Sequence, residues 1–195
     1  MATGMRFTEV MERLKAAARP EQLAGMARYG LTGDRRLGVS MPDIRKLAKE
    51  IKLNHELALK LWETGIPDAM ILAAIVDDPK LVTREQTEEW VVGIGSWDVC
   101  DQLCMKLDKV SFADELVEAW SAREEEFVKR AAYALIACMA WHDKTATDER
   151  FIGFLDVIKA GATDERNFVK KAVNWALRHI GKRNRQLNTA ALKTA

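Results

Sequence analysis

The chain contains Phe127-Val-Lys-Arg-Ala-Ala-Tyr-Ala-Leu-Ile136, and the same pattern returns 41 positions later as Phe168-Val-Lys-Lys-Ala-Val-Asn-Trp-Ala-Leu177. Both copies place Phe, Val, Lys and Ala at corresponding positions, and Arg130 in the first copy corresponds to Lys171 in the second. A repeat of about 40 residues is typical of proteins that are built from stacked pairs of helices. The repeat therefore predicts a helical-repeat architecture.

Repeats of this length occur in HEAT and armadillo proteins, whose helix pairs stack into a curved solenoid with a concave binding face. We predict an all-α solenoid of stacked antiparallel helix pairs, with residues 1–195 as a single domain. The periodicity of apolar residues predicts no strand. The predicted helices are 5–18, 20–29, 42–51, 54–63, 67–77, 83–93, 97–107, 111–121, 124–140, 147–159, 164–180 and 184–193, and residues 30–39 are a predicted loop.

The repeated cations are the part of the repeat that packing explains least. Small alanines in both copies account for close helix packing, whereas Lys129 and Arg130 recur as Lys170 and Lys171. Stacked repeats would place these pairs in a row, with at least one member of each pair facing solvent. Such a row predicts a surface that meets the phosphates of a polyanion.

The balance of charges limits how the protein could bind a nucleic acid. Lysine and arginine number 30 against 29 acidic residues, so the net charge is near zero. Many nucleic-acid-binding domains are more basic, so binding here requires cations that cluster on one face. We also expect nonspecific DNA binding to be weaker than that of a basic protein.

Sequence features that would direct the protein to a membrane or bind a metal are weak. No apolar run of about 18 residues occurs, and Met1 to Arg6 lack the apolar region of a signal peptide. We therefore expect a cytoplasmic protein. Cys100 and Cys104 lie one helical turn apart and Cys138 is remote, so we interpret all three as reduced, mostly buried thiols. A Cys/His zinc site is the weaker alternative, and we predict no metal and no cofactor.

The segment that is most specific for chemistry is Gly95-Ser-Trp-Asp-Val-Cys-Asp-Gln102. Trp97 and Asp101 are four residues apart, so they share one face of a helix for which Ser96 is a good N-cap. An aromatic face beside a carboxylate suits a cation, including the positive sugar that forms when a glycosidic bond breaks. The alternative is that Trp97 is a core residue and Asp101, like Asp98, only interacts favourably with the helix dipole.

Five landmarks in this order and spacing make the chain resemble the DNA alkylation repair glycosylases of the AlkD type over about residues 20–182. The landmarks are Met26-Ala-Arg-Tyr29, Leu37-Gly-Val-Ser-Met-Pro-Asp-Ile-Arg-Lys-Leu47, Ser96-Trp-Asp-Val-Cys-Asp101, Phe127-Val-Lys-Arg-Ala-Ala132 and Phe168-Val-Lys-Lys-Ala-Val-Asn-Trp-Ala-Leu-Arg178. The resemblance implies a HEAT-like fold whose concave face holds duplex DNA. It also implies removal of positively charged N3- or N7-alkylated purines, such as 3-methyladenine and 7-methylguanine, without enclosing the base.

The functional residues of that family match residues of the same type in this chain. Its tryptophan and aspartate match Trp97 and Asp101, its second tryptophan matches Trp175, and its backbone-contacting arginine matches Arg130. The resemblance implies that Asp101 stabilises the sugar cation and positions water while the two tryptophans flank the deoxyribose. From its position alone, Trp175 is equally well a core residue.

The resemblance also implies a DNA-binding surface and a monofunctional enzyme. We predict phosphate contacts by the cations Arg130, Lys129, Lys170, Lys171, Arg178 and Arg45, although Arg45 is equally well a solvated surface residue. No Schiff-base lysine is recognisable beside Asp101. The expected partner is double-stranded DNA with alkylated bases, bound by a monomer in a bacterial-type cytoplasm.

The chain departs from its relatives in its near-zero net charge and in its C-terminal part. Relatives usually continue with another helix pair after the helix that contains Arg178, whereas Ala195 follows here after one short helix. The alternative function is a HEAT-like module that binds DNA structures or a protein without catalysis.

Overall fold

The protein is all-α in a computed structural model that describes residues 5–33 and 35–195. The first four residues and position 34 of the predicted 30–39 loop lie outside this part of the chain. The described residues form twelve α-helices, one 3-10 turn at Pro20–Gln22 and no strand. In chain order the helices are α1 Phe7–Ala16, α2 Leu23–Ala27, α3 Met41–Ile51, α4 His55–Glu63, α5 Pro67–Val76, α6 Arg84–Val92, α7 Trp97–Leu107, α8 Ala113–Ser121, α9 Glu126–His142, α10 Asp148–Gly161, α11 Asn167–Gly181 and α12 Arg185–Thr194.

Capping residues set several helix starts close to where the sequence predicts them. The Ser40 Oγ accepts a hydrogen bond from the backbone N–H of Asp43 at the start of α3, which also has Pro42 in its first turn. The side chain of Thr83 caps α6 in the same way. The predicted 20–29 helix is shorter in the structure, where the 3-10 turn Pro20–Gln22 leads directly into α2, which ends at Ala27. Neither element has a buried residue, so packing adds little to its stability.

The contacts divide the chain into two compact units, residues 1–106 and 107–195. The prediction of a single domain and the prediction of a concave face both depend on how the two units are arranged, and both stay predictions. None of the helices in the described part of the chain is long and apolar enough to cross a membrane.

Helix α5 is the centre of the first unit. Nine of its ten residues are buried, and α1, α3 and α4 all pack against it. Its buried Asp68 accepts hydrogen bonds of 2.7 Å from the backbone N–H groups of Leu37 and Val39. A carboxylate that is satisfied by two backbone donors is a strong, charge-assisted anchor. Asp68 therefore fixes the segment between α2 and α3, which has no helix of its own.

In the second unit, the two copies of the sequence repeat lie side by side on α9 and α11. The rings of Phe127 and Phe168, which begin the two copies, have centroids 5.4 Å apart. Beyond the end of α11, Arg183 donates hydrogen bonds to the carbonyl oxygens of Ala140 and Asp143 at the end of α9. The N-terminal ends of α9 and α11 therefore lie side by side, and so do their C-terminal ends. The two helices run in the same direction, and corresponding residues of the repeat lie at the same level.

A second layer of the same unit is formed by α8, α10 and α12. Arg150 of α10 binds Asp114 of α8, and Asn184, the N-cap of α12, donates to Asp148 at the start of α10. Helix α8 packs on α9, and α10 on α11, each through a short connection. The unit is therefore built from stacked helix pairs, as the repeat predicts.

Candidate nucleic-acid interface

Trp97 and Asp101 lie together on the first turns of α7, as their spacing predicts. Both line a cavity of about 310 Å³ in the first unit, and the exposed Arg45 of α3 lines the same cavity. Much of the remaining wall is apolar and is contributed by Met26, Leu31, Val39, Met41, Ile71 and Met105. The structure thus brings three of the predicted site residues together in a concavity with apolar walls and charges of both signs.

Trp97 is positioned by a hydrogen bond and is only half-buried. Its indole Nε1 donates to the backbone carbonyl oxygen of Tyr29 at 2.8 Å. This bond satisfies the only polar group of the indole and fixes the ring at the edge of the cavity. Trp97 is therefore not fully buried, and part of its side chain is accessible at the cavity.

Asp98 has a role that the sequence does not predict. Its carboxylate forms a two-point ion pair with Arg36, with N–O distances of 2.7 and 3.0 Å, and also accepts a hydrogen bond from Ser96. The Arg36 side chain is only 3% exposed. Asp98 is thus more than a partner of the helix dipole, because it neutralises a buried guanidinium.

A second buried cation holds the other end of α7. The Lys106 Nζ donates to the carbonyl oxygens of Ile75 and Asp77 at the C-terminal end of α5. A cation in this position also interacts favourably with the negative end of the helix dipole. Helix α7 is therefore anchored at its start through Asp98 and at its end through Lys106, with Trp97 and Asp101 on the anchored segment.

In the second unit, one face of α11 carries three of the predicted residues. Lys171, Trp175 and Arg178 line a concavity of about 420 Å³, together with Asn174, His179 and Lys182. The spacing of three, four and seven residues from Trp175 places Arg178, His179 and Lys182 on its side of the helix. Trp175 is half-buried, and its ring meets the His179 ring edge-on at 5.8 Å. Part of the Trp175 side chain is therefore accessible on this face.

The electrostatics of this face of α11 favour an anion. The pKa of His179 lies below the ordinary histidine value of 6.5, chiefly because burial disfavours the charged imidazolium. Neighbouring positive charges lower it further. These neighbours are Lys182, Arg178, Lys144 and His142. A side chain whose protonation is opposed by surrounding cations marks a region of positive potential, which is what a phosphate requires.

The first cationic pair of the repeat lies differently from the second. Arg130 is 4% exposed, and its Nη1 donates a hydrogen bond of 2.8 Å to the carbonyl oxygen of Phe168. The Lys129 Nζ lies 3.5 Å from a carboxylate oxygen of Asp164, and the Lys129 side chain is mostly buried. These cations connect α9 to the start of α11 and do not form an exposed row. The contact of Arg130 with a phosphate stays a prediction, and it requires that side chain to move.

The second pair is exposed, as predicted, but its members face different surfaces. Lys171 belongs to the concavity beside Trp175, whereas Lys170 lines an apolar groove of about 660 Å³ between α10, α11 and α12. Arg178 borders both surfaces. Lys171 and Arg178 are therefore the predicted cations that lie nearest to Trp175.

The predicted site combines residues of both units, and the structure groups them only within each unit. Trp97, Asp101 and Arg45 share one cavity in the first unit. Lys171, Trp175 and Arg178 share another surface in the second. A single site that joins the two groups stays a prediction.

The three cysteines lie in the interior of the protein. Cys100, Cys104 and Cys138 are buried thiols. Across residues 5–33 and 35–195, no group of three or more histidine, cysteine, aspartate or glutamate side chains is arranged to hold an ion.

The family of this chain follows from its match to the DNA alkylation repair enzyme family over residues 10–195. The chain belongs to that family, which confirms the resemblance of its sequence landmarks.

Two curated relatives match part of the chain. The uncharacterized protein Lmo0209 of Listeria monocytogenes is 31% identical over 87 residues, which cover 43% of this chain and 39% of that protein. The uncharacterized protein Lin0241 of Listeria innocua is 32% identical over 89 residues, which cover 44% of this chain and 40% of that protein. The chain thus spans about two fifths of the length of the curated relatives that it matches.

A solved structure shows the same fold. This structure is of a protein from a new family that is related to the HEAT-like repeat DNA glycosylases and has affinity for branched DNA structures. It matches 97% of this chain and 82% of its own with a TM-score of 0.86 and 24% sequence identity. The fold of this chain is therefore HEAT-like.

Proposed function

We propose that this protein is a monofunctional DNA glycosylase that removes cationic N3- or N7-alkylated purines from double-stranded DNA. The observation that carries the proposal is the pairing of Trp97 with Asp101 at one cavity, on a helix that buried ion pairing and hydrogen bonding anchor at both ends. Membership of the DNA alkylation repair enzyme family supports the same reaction class.

The main catalytic task of the protein in this reaction is to stabilise the positive charge on the sugar. An alkylated purine already carries a positive charge, so its glycosidic bond breaks with both electrons leaving on a neutral base. The deoxyribose then carries the positive charge, which the Asp101 carboxylate stabilises electrostatically. Asp101 also orients a water molecule that attacks the sugar carbon, and the proton of that water passes to the carboxylate or to solvent.

The aromatic side chains and the cations position the DNA in this proposal. Trp97 offers a ring face that is fixed by its bond to Tyr29, and Trp175 offers a second ring against the deoxyribose. Lys171 and Arg178 supply charge-assisted hydrogen bonds to phosphates beside Trp175. Arg45 extends the phosphate contacts next to Asp101.

Release of free base from methylated duplex DNA tests the proposal. The wild-type protein is incubated with duplex that contains 7-methylguanine, and the released base is separated and quantified. We expect release well above the spontaneous rate, and no strand cleavage beyond that of abasic sites alone. Duplex binding with release only at the spontaneous rate would reject the glycosylase function.

The salt dependence of duplex binding tests the cations of α11. For each phosphate contact that is removed, the slope of log K against log salt falls in magnitude by about 0.9. We expect the double variant Lys171→Ala/Arg178→Ala to bind duplex more weakly. The slope of log K against log salt should be smaller in magnitude by about 1.8, which corresponds to the loss of two phosphate contacts. The variant Lys15→Ala/Lys80→Ala removes the same charge from exposed positions outside these surfaces and should keep the slope. An unchanged slope in the α11 variant would place the phosphates elsewhere.

A second candidate function is binding of branched DNA without catalysis. It is supported by the likeness of the fold to a protein of a family with affinity for branched DNA structures. A protein of this kind would bind a four-way junction much more tightly than linear duplex and release no base. The proposed glycosylase instead releases 7-methylguanine from linear duplex whatever its affinity for junctions.

A further inference from the structure

A row of four aromatic rings lies at the ends of α9 and α11 in the second unit. Trp141 stacks on His142 with ring centroids 4.6 Å apart and an interplanar angle of 29°. Its edge meets His179 at 6.0 Å, and His179 in turn meets Trp175 at 5.8 Å. The rings therefore continue from the proposed site residue Trp175 to Trp141 at the end of α9.

Trp141 is unusual in this row because it is 47% exposed. Large exposed aromatic side chains are costly in water and often mark binding surfaces. His142 covers one face of the indole and is held in turn by the buried carboxylate of Asp108. The support of the indole is thus fixed, while nearly half of the side chain remains open to a ligand.

The sequence repeat shows that this exposure is local. In the register of the repeat, the α9 positions that correspond to the exposed face of α11 are Arg130, Ala134, Ala137, Cys138 and Trp141. The first four are buried, and only Trp141 reaches the surface. An aromatic residue at this one open position is not required by the packing of the preceding turns.

The charges around the row favour a polyanion. Burial chiefly, and then the nearby cations Lys182, Arg178 and Lys144, lower the pKa of His179. Lys144 lies two residues beyond the end of α9, so positive charge is present near both ends of the row. The acidic Asp108 is buried, and its carboxylate is hydrogen-bonded to the His142 ring. Aromatic rings combined with cations are the surface that unpaired nucleic acids use, because bases stack on the rings while phosphates meet the charges.

We propose that Trp141, supported by His142 and His179, is a stacking platform for an unpaired DNA base next to the duplex. A base within a duplex has both faces covered by its neighbours, so only an unpaired base has a free face to stack on an indole. The platform gives the protein a preference for duplex that borders a single-stranded segment. The inference rests on the DNA binding of the proposed function, but it does not depend on catalysis.

Binding of unmodified DNA tests the platform separately from base release. The probes are a blunt duplex and the same duplex with a single-stranded oligothymidine tail, and fluorescence anisotropy gives both affinities. We expect the wild type to bind the tailed probe about tenfold more tightly, since stacking of one base contributes about 1–3 kcal/mol. Trp141→Ala should bind both probes with the affinity that the wild type has for blunt duplex. Trp141→Phe should retain most of the preference, because it keeps a ring.

Controls separate this inference from the proposed function. Ile152→Ala removes an exposed apolar side chain of α10 and should leave the preference intact. Trp141→Ala should release 7-methylguanine from blunt duplex at the wild-type rate, because Trp141 has no part in the proposed catalysis. Equal binding of both probes by the wild type, or an unchanged preference in Trp141→Ala, would overturn the platform and leave the glycosylase proposal standing. A preference for the tailed probe without any release of base would support the platform and reject the glycosylase proposal.

Discussion

Asp101→Asn is expected to slow the release of 7-methylguanine from duplex DNA by about 100-fold or more while duplex affinity stays within about twofold. The asparagine has the shape of the aspartate but no charge, so it cannot stabilise the positive sugar or accept the proton of the attacking water. Single-turnover kinetics with enzyme in excess measures the chemical step without the contribution of product release.

A matched exposed position controls for the loss of one negative charge. Asp156→Asn makes the same chemical change on the exposed surface of α10 and should release base at the wild-type rate. The melting temperature of Asp101→Asn shows whether the variant is folded at the temperature of the assay. If the folded Asp101→Asn protein released base as fast as the wild type, another group would have to stabilise the sugar and the assignment of Asp101 would fail.

Asp98→Ala is expected to lower the free energy of unfolding by about 3 kcal/mol, because it leaves the buried guanidinium of Arg36 without its carboxylate. Asp98 retains some access to water, with a side chain 16% exposed, which places the effect towards the lower end for a broken buried pair. Urea denaturation measures the change. The exposed Asp156→Ala should change the free energy of unfolding by no more than about 0.5 kcal/mol.

A double-mutant cycle distinguishes loss of the ion pair from loss of the favourable interaction of Asp98 with the helix dipole. Arg36→Met removes the buried charge, so Arg36→Met/Asp98→Ala should be less destabilised than the sum of the two single variants. Additive losses would show that Arg36 and Asp98 contribute to stability independently. Asp98 would then not have the structural role that distinguishes it from the proposed catalytic residue Asp101.

The sequence predicts the helices best where local signals are strong. The 41-residue repeat predicts α9 and α11, and the structure places the copies side by side at Phe127 and Phe168. The start of α6, which Thr83 caps, is predicted from a few neighbouring positions. The predicted 20–29 helix is shortened in the structure, because helical periodicity alone does not show whether a helix face has other residues to pack against.

The candidate site is predictable to the extent that its residues are neighbours on one helix. The spacing of Trp97 and Asp101 fixes their common face, and the structure adds that both line one cavity. The pairing of Arg36 with Asp98 joins residues 62 positions apart, so no local pattern indicates it. The burial of Arg130 is equally hidden, because a repeat gives corresponding positions and does not show which of them become covered.

The hydrogen bonds of Asp68 to Leu37 and Val39 have a consequence for how this protein can vary during evolution. The segment between α2 and α3 contains little regular structure, and such segments usually tolerate insertions and deletions. Here, however, the clamped backbone also carries Arg36, whose guanidinium holds the first turn of α7. An added or lost residue would shift Arg36 and, through Asp98, the catalytic candidates. We therefore expect the length of this segment to be inherited as strictly as the residues of the core.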